Sequence, residues 1–175
     1  SHAVAGMFTE PEIAVRTQRD DARRTVRVRQ RKFLQAAAIR VHAATGGSTN
    51  ALLHLPAIAH ELNIEISYAD FEEANATVPY LTNIQPSGSF LTEFFWFSGG
   101  VPRVQWEIQD LLHLDVMTVT GKTLKENLED LKREGFFERT EGWLRNYKVN
   151  RKEVIREAKQ TALRGSIAIL KGSLA

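Results

Sequence analysis

A chain of 175 residues with a net charge of +2, a 43% apolar share and no cysteine is long enough to bury one core and holds no disulfide framework. No run approaches the roughly 20 apolar residues of a membrane-crossing helix, and so small a charge surplus does not argue for a nucleic-acid partner. The opening SHAVAGMF has neither the basic leader nor the apolar stretch of an export signal, so the cytoplasm is the expected compartment.

Arg16, Arg19, Arg23, Arg24, Arg27, Arg29, Arg31 and Lys32 crowd one short stretch against Asp20 and Asp21. Such a stretch can track phosphates, but it lacks the interleaved aromatics that stack on bases. Two readings stand: a solvated arm spanning residues 1–35, or a non-catalytic binding module that uses residues 16–32.

Residues 33–44 are apolar and alanine-rich and predict a buried helix ending at Gly46 and Gly47. The following GGSTNALLHLPAIAHEL, residues 46–62, predicts a second helix, bent at Pro56, with Ser48 or Thr49 as its cap. A glycine pair before Ser48, Thr49 and Asn50 at a helix mouth also reads as a receptor for a carboxylate or phosphate, because free N–H groups and the helix dipole favour an anion there. His54 lies four residues after Asn50, on the same face, and is read either as a cavity residue or as a packed, hydrogen-bonded histidine. His2, His42, His60 and His113 show no metal-ligand spacing.

A helix at 68–76, an extended segment at 78–81 and a turn at 85–88 are expected next. The run from Phe90 to Phe97 is too apolar to face water on all sides and reads as core or as a subunit interface. Ser98, Gly99 and Gly100 break it, and Pro102 opens a helix ending near Leu112. Val116 to Val119 reads as a strand, and Thr123 with Glu126 as a capping box for a helix through Leu131. Lys122 and Thr123 stand in a TGKT stretch lacking the first glycine of a phosphate-binding loop, where Val116 stands instead, so Lys122 is read as a cation near an anionic substrate. Residues 133–150 read as a charged and aromatic insertion, 151–159 as helix and 166–170 as strand.

Five motifs occur in order: GGSTN at 46–50, QPSGSF at 85–90, SGGVPRV at 98–104, DVMTVTGKTLKENL at 115–128 and GSIAILKGSLA at 165–175. This order resembles the dihydroxy-acid and sugar-acid dehydratases, over about residues 36–130 and again at 165–175. The resemblance implies a helix-rich α/β fold, made of the late part of the dehydratase N-terminal domain (36–160) and the first strand of a C-terminal β-barrel-like domain (161–175). It implies dehydration of a 2,3-dihydroxy carboxylic acid to a 2-keto-3-deoxy acid, with an iron–sulfur cluster and Mg²⁺ as cofactors, in a homo-oligomer. NIQPSG and FFWFSGG lean toward the sugar-acid branch. Ser48, Thr49, Asn50, His54 and Lys122 are the expected substrate-binding residues, with no catalytic residue and no metal ligand in the chain. With no cysteine present, the chain is expected to be an inactive internal piece of such an enzyme.

Overall fold

The computed structural model describes Phe33 and residues 36–173, so the arginine-rich stretch 16–32 lies outside the described residues. Eight α-helices are described: α1 (36–45), α2 (Ala51–Glu61), α3 (Tyr68–Thr77), α4 (Thr92–Phe97), α5 (Gly100–Glu107), α6 (Leu124–Arg133), α7 (Phe136–Asn146) and α8 (Arg151–Val154). A 3₁₀ turn at Gln109–Leu111 extends α5 toward the expected end at Leu112.

The core is assembled from one stripe each of α1, α3, α5, α6 and α8. Ala37, Ile39, Ala43 and Ala44 of α1, Phe71 and Ala74 of α3, Val104 and Ile108 after Gly100, and Leu124 and Leu128 of α6 form one buried cluster with Val78, Leu81, Val154 and Ile155. The alanines of α1 let neighbouring backbones come close, while Phe71 and Leu81, both fully buried, each contribute about 1.5–3 kcal/mol relative to exposure. Around this cluster α4 packs on α5 and α7, and α6 on α7. Phe97 stacks on Tyr147 with ring centroids 5.9 Å apart, and Phe94 meets Tyr147 edge-on at 5.2 Å.

Local chemistry explains several boundaries. Thr123 and Glu126 form the expected capping box, the Thr123 N–H donating to Glu126 Oε2 at 2.7 Å and the Glu126 N–H to Thr123 Oγ1 at 3.2 Å. Asn150 does the same with Glu153 at α8, its Oδ1 accepting from the Lys152 N–H at 2.9 Å. Pro56 sits inside α2, where its missing N–H leaves a carbonyl of the preceding turn unpaired by the helix ladder.

Other expectations are corrected. Among the described residues no β-strand forms, only isolated bridges. The run 116–119 folds back at once: Met117 bridges Thr123, the Thr118 N–H donates to the Lys122 carbonyl at 2.9 Å, and Gly121 takes φ +76°, a loop too tight to propagate a ladder. The run 166–170 has no strand beside it, because Asn75 Oδ1 on α3 takes the N–H groups of Ser166 at 3.1 Å and Ile167 at 3.3 Å. The helix expected over 151–159 stops at Val154, because Ile155 leaves it to bridge Thr82. Residues 133–150, read as a charged and aromatic insertion, contain a helix, α7, whose Phe137, Thr140 and Leu144 are buried. The run from Phe90 to Phe97 does keep one side from water, as expected: Phe90, Phe94 and Phe95 pack half-buried against the core, while Trp96 is 51% exposed.

Candidate functional site

The turn between α1 and α2 is built from its glycines. Gly46 adopts φ +61°, its N–H donates to the Ala43 carbonyl at 3.4 Å, and the Gly47 N–H reaches the His42 carbonyl at 3.1 Å. This is a Schellman C-cap, with Gly46 as its left-handed residue. The remaining carbonyls at the end of α1 are met by the segment after α3: the Leu81 N–H donates to Ala44 at 2.8 Å and Thr82 Oγ1 to Thr45 at 2.7 Å. Ala43 and Ala44 are buried and His42 and Thr45 half-buried, so a carbonyl left unpaired at the two alanines would cost about 1–3 kcal/mol.

The N-terminus of α2 is not capped by Ser48 or Thr49. Its N-cap is Asn50, with no side-chain cap bond, and the Ser48 hydroxyl instead accepts from the Asn50 N–H at 3.3 Å. The reason is a preceding helical turn: the N–H groups of Ala51, Leu52 and Leu53 donate to the carbonyls of Ser48, Thr49 and Asn50, each at 3.0 Å. The donors that the sequence leaves for an anion are therefore already occupied by backbone. The N–H groups of Ser48 and Thr49 meet no acceptor among the described residues.

This end of α2 opens on a cleft of about 750 Å³. Ala37, Ala38, Val41 and His42 of α1 form one wall, Ala51, His54 and Leu55 of α2 a second, and Val101, Gln105, Thr118 and Leu124 close it, with Ser48 and Asn50 at the mouth. Among the described residues the lining is mostly aliphatic and carries no carboxylate, lysine or arginine. Such a cleft, apolar with a few converging polar groups, has the composition of a small-molecule site.

Of the five residues expected at the site, the structure brings Ser48, Asn50 and His54 to the cleft. Thr49 is exposed and does not line it. Lys122 also stands apart: its ammonium donates to the Asp130 carboxylate, which Arg133 shares. That pairing raises the Lys122 pKa and holds the Asp130 carboxyl below its ordinary value, through the hydrogen bonds of Lys122 and then of Arg133. His42, Gln105 and Thr118 are cleft residues that the sequence did not single out for this role. The spacing of Gln105 from Val101, one helical turn along α5, is the signal that places both on one face.

The dihydroxy-acid/6-phosphogluconate dehydratase N-terminal family matches residues 11–127. The chain belongs to this family. The match starts well before residue 36 and takes in the arginine-rich stretch. Relatives named dihydroxy-acid dehydratase include one from Methanosarcina acetivorans, 40% identical over 138 residues, covering 79% of this chain and 23% of that protein. Another, from Pelagibacter ubique, is 46% identical over 104 residues, 58% of this chain and 18% of that protein. A third, from Acetivibrio thermocellus, is 40% identical over 141 residues, 79% of this chain and 23% of its own length. The chain thus spans less than a quarter of the curated relatives it matches.

Of the iron–sulfur cluster and Mg²⁺ implied by the resemblance, the cluster does not fit the donors of this chain, and Mg²⁺ finds no ligand group among the described residues. The chain has no cysteine thiolate to hold iron. Among the described residues, no three histidine, aspartate or glutamate side chains gather in a way that could hold a metal ion. No helix of the described residues is long and apolar enough to cross a membrane.

Proposed function

We propose that these residues belong to a hydro-lyase that dehydrates a 2,3-dihydroxy carboxylic acid. In that reaction the C2 proton and the C3 hydroxyl leave as water, and the resulting enol ketonises to a 2-keto-3-deoxy acid. The family match over residues 11–127 carries this reading. Within it, the cleft beside α2 is the part of the substrate site that this chain supplies. Ser48, Asn50 and His54 offer hydrogen bonds to the carboxylate and hydroxyls, and the aliphatic walls receive the carbon tail. Cluster, Mg²⁺ and base belong to polypeptide other than these residues, and the complete enzyme is a cytoplasmic homo-oligomer in which 161–175 opens a second domain.

The lining favours a branched dihydroxy acid over the sugar acids toward which NIQPSG and FFWFSGG lean. A polyhydroxylated tail placed against Ala37, Val41, Leu55 and Val101 would lose water without regaining hydrogen bonds. The test is release of 2-keto acid from a panel of aldonic and branched 2,3-dihydroxy acids. It is run on this chain alone and on the chain within its natural flanking sequence. Activity on a branched acid only with the flanks supports the proposal. Activity of the 175-residue chain by itself, or no turnover of either acid class by the flanked protein, overturns it.

A further inference from the structure

We infer that His42 is the positioning residue of the cleft, holding the turn that carries Ser48 and Asn50 in place; this rests on the cleft being the substrate site. His42 stands on α1, outside that turn, and lines the cleft. Its Nε2 lies 2.9 Å from the Ser48 carbonyl oxygen. A carbonyl can only accept, so Nε2 carries the proton and donates. Nδ1 is buried and meets no hydrogen-bond partner among the described residues. Keeping a polar ring nitrogen buried and unmatched is costly, so this ring orientation is held by its surroundings.

Two neighbours hold it. Phe71, fully buried, meets the ring edge-on with centroids 6.3 Å apart. A Cβ on Gly47 would stand 2.3 Å from His42 Cδ2 and 2.7 Å from Nε2, so only glycine leaves room for the ring there. The ring is thus bounded by Phe71 and by the Gly47 backbone, with Nε2 donating to the carbonyl that opens the first turn of α2. The second glycine of GGSTN is explained by this seat. Because the Ser48 carbonyl also accepts from the Ala51 N–H, the hydrogen bond from His42 fixes the residue from which α2 starts.

The role separates from packing by substitution. His42→Phe keeps an aromatic ring against Phe71 and loses the donor, whereas His42→Gln can place an amide N–H near the position of Nε2. Amide hydrogen exchange at Ala51, Leu52 and Leu53 reports the turn, thermal unfolding reports the whole fold, and titration with 2,3-dihydroxy-3-methylbutanoate reports the cleft. His42→Phe is expected to speed exchange at these three amides and weaken binding of that acid by about tenfold each, the scale of one lost hydrogen bond. His42→Gln is expected to stay within about twofold of wild type in both. Gly47→Ala, which pushes the ring off its seat, is expected to match His42→Phe in both exchange and binding. Unchanged exchange in His42→Phe, or equal losses in His42→Phe and His42→Gln, overturns the inference. If wild type fails to bind the acid while the exchange pattern holds, the substrate reading falls and the positioning of the turn by His42 stands.

Discussion

Two glycines with left-handed backbones separate the cost of conformation from the cost of space. Gly46 has φ +61° and Gly121 has φ +76°, so a side chain at either meets a similar backbone penalty. Placing alanine there costs about 1–2 kcal/mol, of which about 0.4–1 kcal/mol is returned because the unfolded chain loses freedom as well. At Gly121 nothing among the described residues lies within 4 Å of the new Cβ, so Gly121→Ala should cost no more than about 1.6 kcal/mol. At Gly46 the Cβ would stand 2.6 Å from Tyr80 Cε2 and 3.2 Å from its Cζ and Oη. Tyr80 has little freedom to retreat, since its N–H is tied to the Leu163 carbonyl at 3.0 Å and its ring lies under the Arg156 guanidinium. An overlap of this kind adds about 1–3 kcal/mol, giving about 1–4.6 kcal/mol for Gly46→Ala, always above the Gly121→Ala cost by that overlap. Urea unfolding of both variants measures the difference, and a double-mutant cycle with Tyr80→Ala isolates its steric part. Equal costs at the two positions, or a Gly46→Ala cost that survives intact in the Tyr80→Ala background, would refute the reasoning.

Three further outcomes follow from the described contacts. Asn75→Ala removes the acceptor of the Ser166 and Ile167 N–H groups and the donor to the Phe71 carbonyl; the loss should be about 1–3 kcal/mol, and limited proteolysis should then cut first within 164–169. Thr123→Ala should cost about 1 kcal/mol in urea unfolding while Thr123→Ser costs less, because the hydroxyl that accepts from Glu126 is retained. Acid should destabilise the start of α6. The Glu126 carboxyl is held below its ordinary value by the Thr123 N–H and then its hydroxyl, and the Asp130 carboxyl by Lys122 and then Arg133. Depressed carboxyls contribute stability above their unfolded values, 4.5 for Glu and 3.8 for Asp, and lose it as pH falls through the lower folded values. Melting temperature should therefore drop more steeply below about pH 4.5 in wild type than in Glu126→Gln, and identical slopes would contradict the assignment.

Helix-forming signals of short range were legible in the sequence. The Thr123 and Glu126 pair, the break at Ser98 to Gly100 and the 68–76 helix all depend on residues within four positions of each other, and each is found where it was expected. What failed depended on distant partners. A β-branched run such as 116–119 becomes a strand only if another strand lies beside it, and neither it nor 166–170 has one among the described residues. Ile155 leaves α8 because Thr82 is there to receive it, a contact no local pattern announces. The charged and aromatic stretch 133–150 concealed the helix α7, whose buried Phe137, Thr140 and Leu144 recur at three- and four-residue spacing and could have revealed it.

The GGSTN motif shows why a correct location can come with an incomplete reason. Gly46 and Gly47 were read both as the end of the first helix and as the entrance to α2; Gly46 does close α1, and the unread part of their work is that Gly47 makes room for His42. The same geometry changes how an anion could be held at this helix end. With the N–H groups of Ala51, Leu52 and Leu53 bonded to the preceding carbonyls, the helix offers its dipole but not those first-turn donors. Any carboxylate there must take its hydrogen bonds from the N–H groups of Ser48 and Thr49 or from the side chains of Ser48, Asn50 and His54. A helix dipole alone is worth about 0.3–1 kcal/mol at an exposed end, which is too little to select a ligand. Selectivity must then come from the placement of those side chains and from the aliphatic walls they face. That placement begins at the carbonyl of Ser48, where His42 and Ala51 both donate.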